Sequence, residues 1–232
     1  MFLKLLKYIL FSAVIFIIAS VLVVVVFKWV NPSTSAFIAL KSGGLDEMFY
    51  TDIPKQDWVP LNKISPYMPL AVIASEDQIF FDHFGFDFNQ IEKAMKENQK
   101  RKRIRGASTI SQQVAKNMFL YPGKSFIRKG IEAYFTMLIE LIWGKKRILE
   151  VYLNVAEFGE GIYGVQAASR IYFHKDASAL NAGEAALLTA ILPSPLKRSV
   201  ARPSAYVITR KGQILTQMEL IGGIKFLHEN IN

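Results

Sequence analysis

The sequence predicts a mainly α-helical domain carried on one N-terminal transmembrane helix. Three features lead there. Tyr8 to Phe27 contains no charged residue. From Leu70 onward, apolar residues recur at helical rather than alternating spacing. Strand-like runs are short and few.

The anchor comes first in the chain. About 20 uncharged residues at ~1.5 Å each cross the ~30 Å hydrocarbon core as a helix. Lys4 and Lys7 precede the segment and favour a cytoplasmic N-terminus, a bias that Lys28 on the far side weakens. A cleaved signal peptide is the competing assignment. Its apolar region normally runs about 7–15 residues, however, and FKWVNPSTSA offers only a poor small-x-small cleavage site. Residues 1–7 are therefore read as a short cytoplasmic terminus and 8–28 as an uncleaved anchor, with the remainder on the outer side.

Charge then narrows the partners. In 232 residues, 28 Lys and Arg against 19 Asp and Glu leave a net charge of +9, which favours an anionic ligand. A domain outside the cytoplasm has little access to nucleic acid, so the surplus points to the membrane surface or to a phosphorylated molecule at it. There is no cysteine, which excludes disulfides, thiol nucleophiles and thiolate metal sites.

Residues 29–57 read as a connector with short elements, because Pro32, Pro54, Pro60, Pro66 and Pro69 with Gly43 and Gly44 punctuate Asn31 to Pro69. The globular domain is assigned to 58–232. Its helices are expected over Leu70 to Phe81, Asn89 to Gln99, Ser108 to Phe119, Ile127 to Trp143, Lys145 to Val155, Gly164 to Arg170, Ala182 to Ile191 and Tyr206 to Ile221. Pro193 and Pro195 end one helix, and Pro203 precedes the last.

Three segments carry candidate chemistry. In SEDQIFFDHFG, continuation of the first helix to about His83 would put Glu76, Phe80 and His83 on one face. A carboxylate partly buried against rings has a raised pKa and can exchange a proton with substrate; the plainer alternative is a solvated acid pair beside ordinary core phenylalanines. In RGASTISQQVAKNMFL, Ser108 is the expected N-cap. Thr109, Gln113 and Lys116 then form a polar stripe flanked by Gln112 and Asn117, opposite Ile110, Val114 and Met118. A stripe without acids suits an oxygen-rich anion, whereas an ordinary exposed face usually mixes both signs. Upstream, Lys93 to Arg105 holds seven basic residues and one acid, either a solvated loop or an attractor of anionic headgroups and diphosphates. In RKGIEAYFTMLIE, Arg128 and Glu132 lie four apart, either as a surface ion pair or with Glu132 as a second carboxylate across a cleft.

Other motifs fail on context. GEGIYG matches a dinucleotide-binding fingerprint, but KKRILEVYLNVAEF before it reads as a helix and turn rather than a buried strand, so the glycines are taken as a tight turn between helices. His83, His174 and His228 form no paired metal motif, and no nucleophile elbow is present.

EDQIFFDHFG, GASTISQQVAKN, RKGIE and KKRILEVYLNVAEFGEGIYGVQAA, in this order and at these separations, resemble four consecutive motifs of the peptidoglycan glycosyltransferases that polymerise lipid II. The resemblance continues through EAALLTAILPSP to RKGQIL and spans about Trp58 to Met218. Because the sequence ends at Asn232 without room for a transpeptidase domain, it is similar to the monofunctional, membrane-anchored members rather than to the bifunctional penicillin-binding proteins. The family implies a lysozyme-like α-helical fold with a small membrane-proximal subdomain. It also implies a place in the bacterial inner membrane with the domain on the periplasmic face, and cell-division or cell-wall synthases as candidate partners.

Carried over residue by residue, the resemblance makes Glu76 the general base for the acceptor 4-hydroxyl, supported by Asp77, Phe80 and His83. It makes Ser108, Thr109, Gln113, Lys116 and Asn117 substrate contacts, places Arg128 and Lys129 at the diphosphate, and has Glu132 organise the donor site. Ser111 stands where many members carry threonine. The implied donor is a glycan strand on undecaprenyl diphosphate, the acceptor is lipid II, and a divalent cation is an optional assistant with no ligand set assigned. Two rivals are weighed. A lytic transglycosylase or lysozyme-type hydrolase would share the glutamate but have no use for the cation set. A non-catalytic, membrane-anchored module binding anionic polymer would depend on Lys100 to Arg105 and not on Glu76.

Overall fold

A computed structural model describes residues 2–41, 57–99, 106–123 and 125–231. Most of the connector and the basic cluster Lys100 to Arg105 lie outside these residues, so the readings made of them are not addressed by it.

Helix α1 (Phe2–Trp29) carries no charge between Lys7 and Lys28, and its C-terminal third is docked on the domain rather than free. The Ser20 and Tyr134 hydroxyls lie 2.7 Å apart, and the Trp143 indole donates to the Val24 carbonyl at 2.7 Å. Arg147 donates to the Phe27 carbonyl at 2.9 Å, the Val30 carbonyl at 3.0 Å and Asn31 Oδ1 at 2.8 Å. A helix leaves its last carbonyls without intrahelical donors, and a guanidinium with five N–H groups is suited to collect them. Helix α2 (Ala36–Lys41) follows; the Ser35 hydroxyl accepts from the Ile38 amide at 3.2 Å at its start. The short elements expected of the connector thus include one helix.

Helix α3 (Tyr67–Glu76) forms the centre of the core, with every residue from Met68 to Ala74 buried. It stops at Glu76 and does not continue to Phe81 or His83. The Asp77 amide still donates to the Ile73 carbonyl at 3.0 Å, but φ −162° takes Asp77 out of the helix. Leaving the helix frees the Asp77 carboxylate for partners elsewhere, described below. Glu76 and His83 therefore do not share a helix face.

After α4 (Phe88–Asn98), helix α5 (Ile110–Phe119) starts one residue later than expected, because Thr109 rather than Ser108 is its N-cap. The Thr109 hydroxyl accepts from the Gln112 amide at 3.2 Å, and the Gln112 side chain accepts from the Thr109 amide at 3.0 Å. This reciprocal capping box requires Thr-x-x-Gln, which only TISQ in the segment supplies. Helices α6 (Phe126–Ile142) and α7 (Lys145–Val155) pack around α5. α7 has the expected bounds.

GEGIYG lies in a hairpin between helices, with β1 (Glu157–Gly159) pairing antiparallel with β2 (Ile162–Tyr163). The tight turn is therefore present but flanked by strands, and among the described residues no βαβ unit surrounds it. Helix α8 (Val165–Phe173) follows Gly164, whose φ of +83° and whose Cβ position 2.8 Å from the Asn154 carbonyl both demand glycine. Helix α9 (Ala182–Ile191) matches its expected span, capped by an Asn181/Glu184 box, and with α10 (Ala205–Leu220) it flanks α3. Gly222 and Gly223 then allow a final helix, α11 (Gly223–Ile231), which was not expected.

Candidate active site

The C-terminus of α3 delivers Glu76 to a cavity of about 440 Å³ lined also by Ser75, Asp77, Asp87, Ser108, Thr109 and Arg210. Burial pushes the Glu76 carboxyl above the usual carboxylate range, opposed chiefly by a hydrogen bond from Gln113. That bond runs from Gln113 Nε2 to Glu76 Oε2 at 3.1 Å, and the Tyr152 hydroxyl donates to Gln113 Oε1 at 3.3 Å. Because a tyrosine hydroxyl satisfies the amide oxygen, the amide nitrogen is the end left for the carboxylate. The other oxygen, Oε1, accepts from the Ser75 hydroxyl at 3.3 Å.

Gln113 also lines a second cavity of about 210 Å³ with Phe37, Lys116, Asn117, Tyr152, Glu157, Pro193 and Pro195. Pro193 lines both cavities, and Gln113, which lines the second, reaches Glu76 in the first. Burial holds the Lys116 ammonium below the ordinary lysine range, with the nearby Glu132 carboxylate working the other way. Lys116 forms no ion pair among the described residues; its ammonium lies 6.0 Å from the Phe37 ring centroid. A desolvated cation in a cavity without a carboxylate partner is a seat for an anion.

Behind Lys116, Glu132 is buried and neutralised by two neighbours on α6. Arg128 Nη1 donates to Glu132 Oε2 at 3.0 Å, and Lys129 pairs with Oε1. This is not the surface ion pair that spacing suggests, since Arg128 is only 11 % exposed and Glu132 4 % at the side chain. Nor does Glu132 line either cavity. Arg128 keeps a spare donor, its Nε, which is buried without a partner.

The remaining expected site residues fall into two groups. Ser108 and Thr109 line the first cavity, but Thr109 is committed to capping α5 and to donating to the Gly85 carbonyl at 2.7 Å, so the expected stripe begins at Gln113. Asp77, Phe80 and His83 support from beneath. Asp77 Oδ2 accepts from the Ile110 amide at 3.0 Å, and His83 Nε2 meets both Asp77 oxygens at 2.9 and 3.0 Å. An anion at the α5 N-terminus also gains from the helix dipole. Phe80 is fully buried, lines neither cavity and has the Lys145 ammonium 4.6 Å from its ring centroid, so it is a core residue here rather than a substrate contact. Ser75, Tyr152 and Arg210 shape the site without having been singled out. Tyr152 and Arg210 lie in EVYLN and RKGQIL, but no spacing rule ties them to Glu76 across 75 or more intervening positions.

Among the described residues no group of three acidic or imidazole side chains is placed to hold a metal ion. Glu132 is already paired with two cations, and each Glu76 oxygen accepts one hydrogen bond and keeps a further lone pair.

Comparison with known proteins places this geometry. Residues 45–219 match the family model described as Transglycosylase. A biosynthetic peptidoglycan transglycosylase of Yersinia pseudotuberculosis serotype O:3 (strain YPIII) is 60% identical over 179 residues, covering 77% of this chain and 74% of that protein. The protein of the same description from Yersinia pestis (strain Pestoides F) has the same identity and coverage.

Proposed function

The chain belongs to the transglycosylase family, and from that premise we propose that it polymerises lipid II into β-1,4-linked glycan strands of the bacterial cell wall. It is a glycosyltransferase of peptidoglycan synthesis; the substrates, the residue roles and the side of the membrane are our reading. One observation carries it: a half-buried carboxylate, Glu76, is joined through Gln113 to a cavity holding the unpaired ammonium of Lys116. A base and an anion seat one residue apart are what transfer from a diphosphate requires.

In this reading the acceptor lipid II lies in the larger cavity with its 4-hydroxyl at Glu76. The donor strand presents the α-linked C1 of its terminal sugar, with the undecaprenyl diphosphate toward Lys116. Glu76 takes the hydroxyl proton as the oxygen attacks C1. The bond between C1 and the phosphate oxygen breaks, its electron pair leaves with the diphosphate, and the new bond is β. Lys116, with Arg128 and Lys129 behind it, disperses the leaving charge. Glu132 holds those two cations in place, which is organisation of the donor site rather than proton transfer. Ser108 and Asn117 line the walls, and Thr109, Asp77 and His83 fix α5 and the Glu76 turn. A divalent cation fits as a counter-ion carried by the diphosphate, since the protein's own carboxylates are already engaged.

The anchor would keep both cavities at the height of a lipid-linked substrate, and we place the domain on the periplasmic face of the inner membrane with lipid II, the membrane and other wall synthases as partners. The test supplies detergent-solubilised full chain with labelled lipid II in one reaction and purified cell wall in another. High-molecular-mass, muramidase-sensitive product from lipid II supports the proposal. Soluble fragments from the wall, with none of that product, would instead support the lytic rival.

A further inference from the structure

Arg210 lies on α10, far in sequence from every residue given a role above. Its Nη2 donates to the Ser75 hydroxyl oxygen at 2.9 Å and to the Ser75 carbonyl at 3.3 Å. The same hydroxyl lies 3.3 Å from Glu76 Oε1, and Arg210 lines the cavity that Glu76 faces. Guanidinium can only donate. Occupied by Arg210 on its lone pair, the Ser75 hydroxyl has its single proton left for Glu76, so the direction of the whole chain of bonds is fixed. We propose that Arg210, acting through Ser75, is a positioning residue that keeps the Glu76 carboxylate ionised and turned into the cavity. This rests on Glu76 being the base.

After the hydrogen bonds from Gln113 and Ser75, Arg210 is the cation that favours the ionised Glu76. Asp77 follows it in the chain and disfavours a second negative charge, while His83 is engaged with Asp77. Asp87 at the start of α4 lines the same cavity, and Tyr152 on α7 contributes a neutral hydroxyl one residue away. Lys116 faces the other cavity. Burial works against ionisation, and Arg210 is the cation found opposing it. Gln217, two turns beyond Arg210 on α10, accepts from Gln78 Nε2 at 2.8 Å and holds α10 against the end of α3. The α10–α3 contact therefore survives loss of the charge.

The experiment follows the Glu76 carboxyl directly, by carbon NMR of the full chain in micelles with glutamate labelled at the carboxyl carbon, and Glu76→Gln identifies the resonance. The midpoint should rise in Arg210→Gln, which keeps a donor but no charge, and lie between the two in Arg210→Lys. Ser75→Ala should raise it as well. Polymerisation by Arg210→Gln should fall about tenfold for each unit the midpoint rises when measured on the acid side, and recover at higher pH. An unmoved midpoint in folded Arg210→Gln, or in Ser75→Ala, overturns the proposal. So does a rate loss of equal size at every pH. If the wild type makes no polymer while the midpoint moves as expected, the functional reading fails and the role of Arg210 in setting Glu76 stands.

Discussion

Replacing Gly85 by alanine should unfold the site from below. Gly85 closes the turn after α3 with φ +81°, and an alanine Cβ there would lie 2.7 Å from Thr136 Cγ2 and 3.2 Å from Glu140 Cγ. The left-handed backbone costs a non-glycine residue about 1–2 kcal/mol, and forcing a methyl into a filled site costs about 1–3 kcal/mol more. The sum, about 2–5 kcal/mol, lowers the unfolding temperature of a domain of this size by roughly 4–20 °C. The two contributions separate by a second change. Thr136→Ser removes the clashing methyl but keeps the hydroxyl that donates to the Glu132 carbonyl at 2.7 Å. Gly85→Ala with Thr136→Ser should therefore recover the packing share, a coupling of about 1–3 kcal/mol, and retain the backbone share. Activity should follow, because the Gly85 carbonyl accepts from Thr109 at 2.7 Å and so sets where α5 and Gln113 begin. Thermal unfolding of the four proteins in detergent decides it. A double variant as unstable as Gly85→Ala, or Gly85→Ala as stable as wild type, would refute the steric account.

Glu132→Ala should cost about 3–5 kcal/mol, since it leaves the buried Arg128 without its carboxylate, and Glu132→Gln should cost less; equal denaturation midpoints would contradict this. Tyr152→Phe frees the Gln113 amide to turn its oxygen toward Glu76, so polymerisation should fall while the fold is kept; an unchanged rate would remove Tyr152 from the site. Burial holds Lys116 low, so the alkaline limb of activity should fall at a pH below that of an ordinary lysine, and Lys116→Arg should move it upward. The stability sign agrees: the unfolded lysine binds its proton more tightly, so this group makes stability rise with pH between the lowered and the ordinary value. Arg147→Ala should loosen α1 from the domain, seen as a changed Trp143 fluorescence because the Trp143 indole donates to the Val24 carbonyl; an unchanged spectrum and unfolding temperature would show that the anchor docks without it.

Local physics made much of the fold readable. The uncharged run marks α1, and α7 and α9 have the bounds that apolar periodicity assigns. Periodicity misled at SEDQIFFDHFG, because Phe80 enters the core from a turn as readily as from a helix, and the turn lets Asp77 reach the Ile110 amide. The N-cap of α5 was legible in TISQ, where Ser108 lacked the glutamine three residues on that Thr109 has. The site was legible where its residues sit close in sequence, as with Gln113 and Lys116. Tyr152 and Arg210 meet Ser75, Glu76 and Gln113 only through the packing of α7 and α10, and helical spacing carries no signal of contacts between helices. Exposure was equally hidden: Arg128 and Glu132 have the spacing of any surface pair, and only the enclosure of α6 buries them.

The central claim is that the Glu76 carboxylate removes the acceptor proton. The most direct measurement is the rate of lipid II polymerisation by wild type and Glu76→Gln, with both proteins shown to be folded by the same unfolding temperature and with lipid II binding measured alongside. The account predicts retained binding and loss of nearly all polymer in the variant, since glutamine keeps the shape and the Gln113 contact but cannot accept the proton. Polymer formed by Glu76→Gln at a rate close to wild type would contradict it.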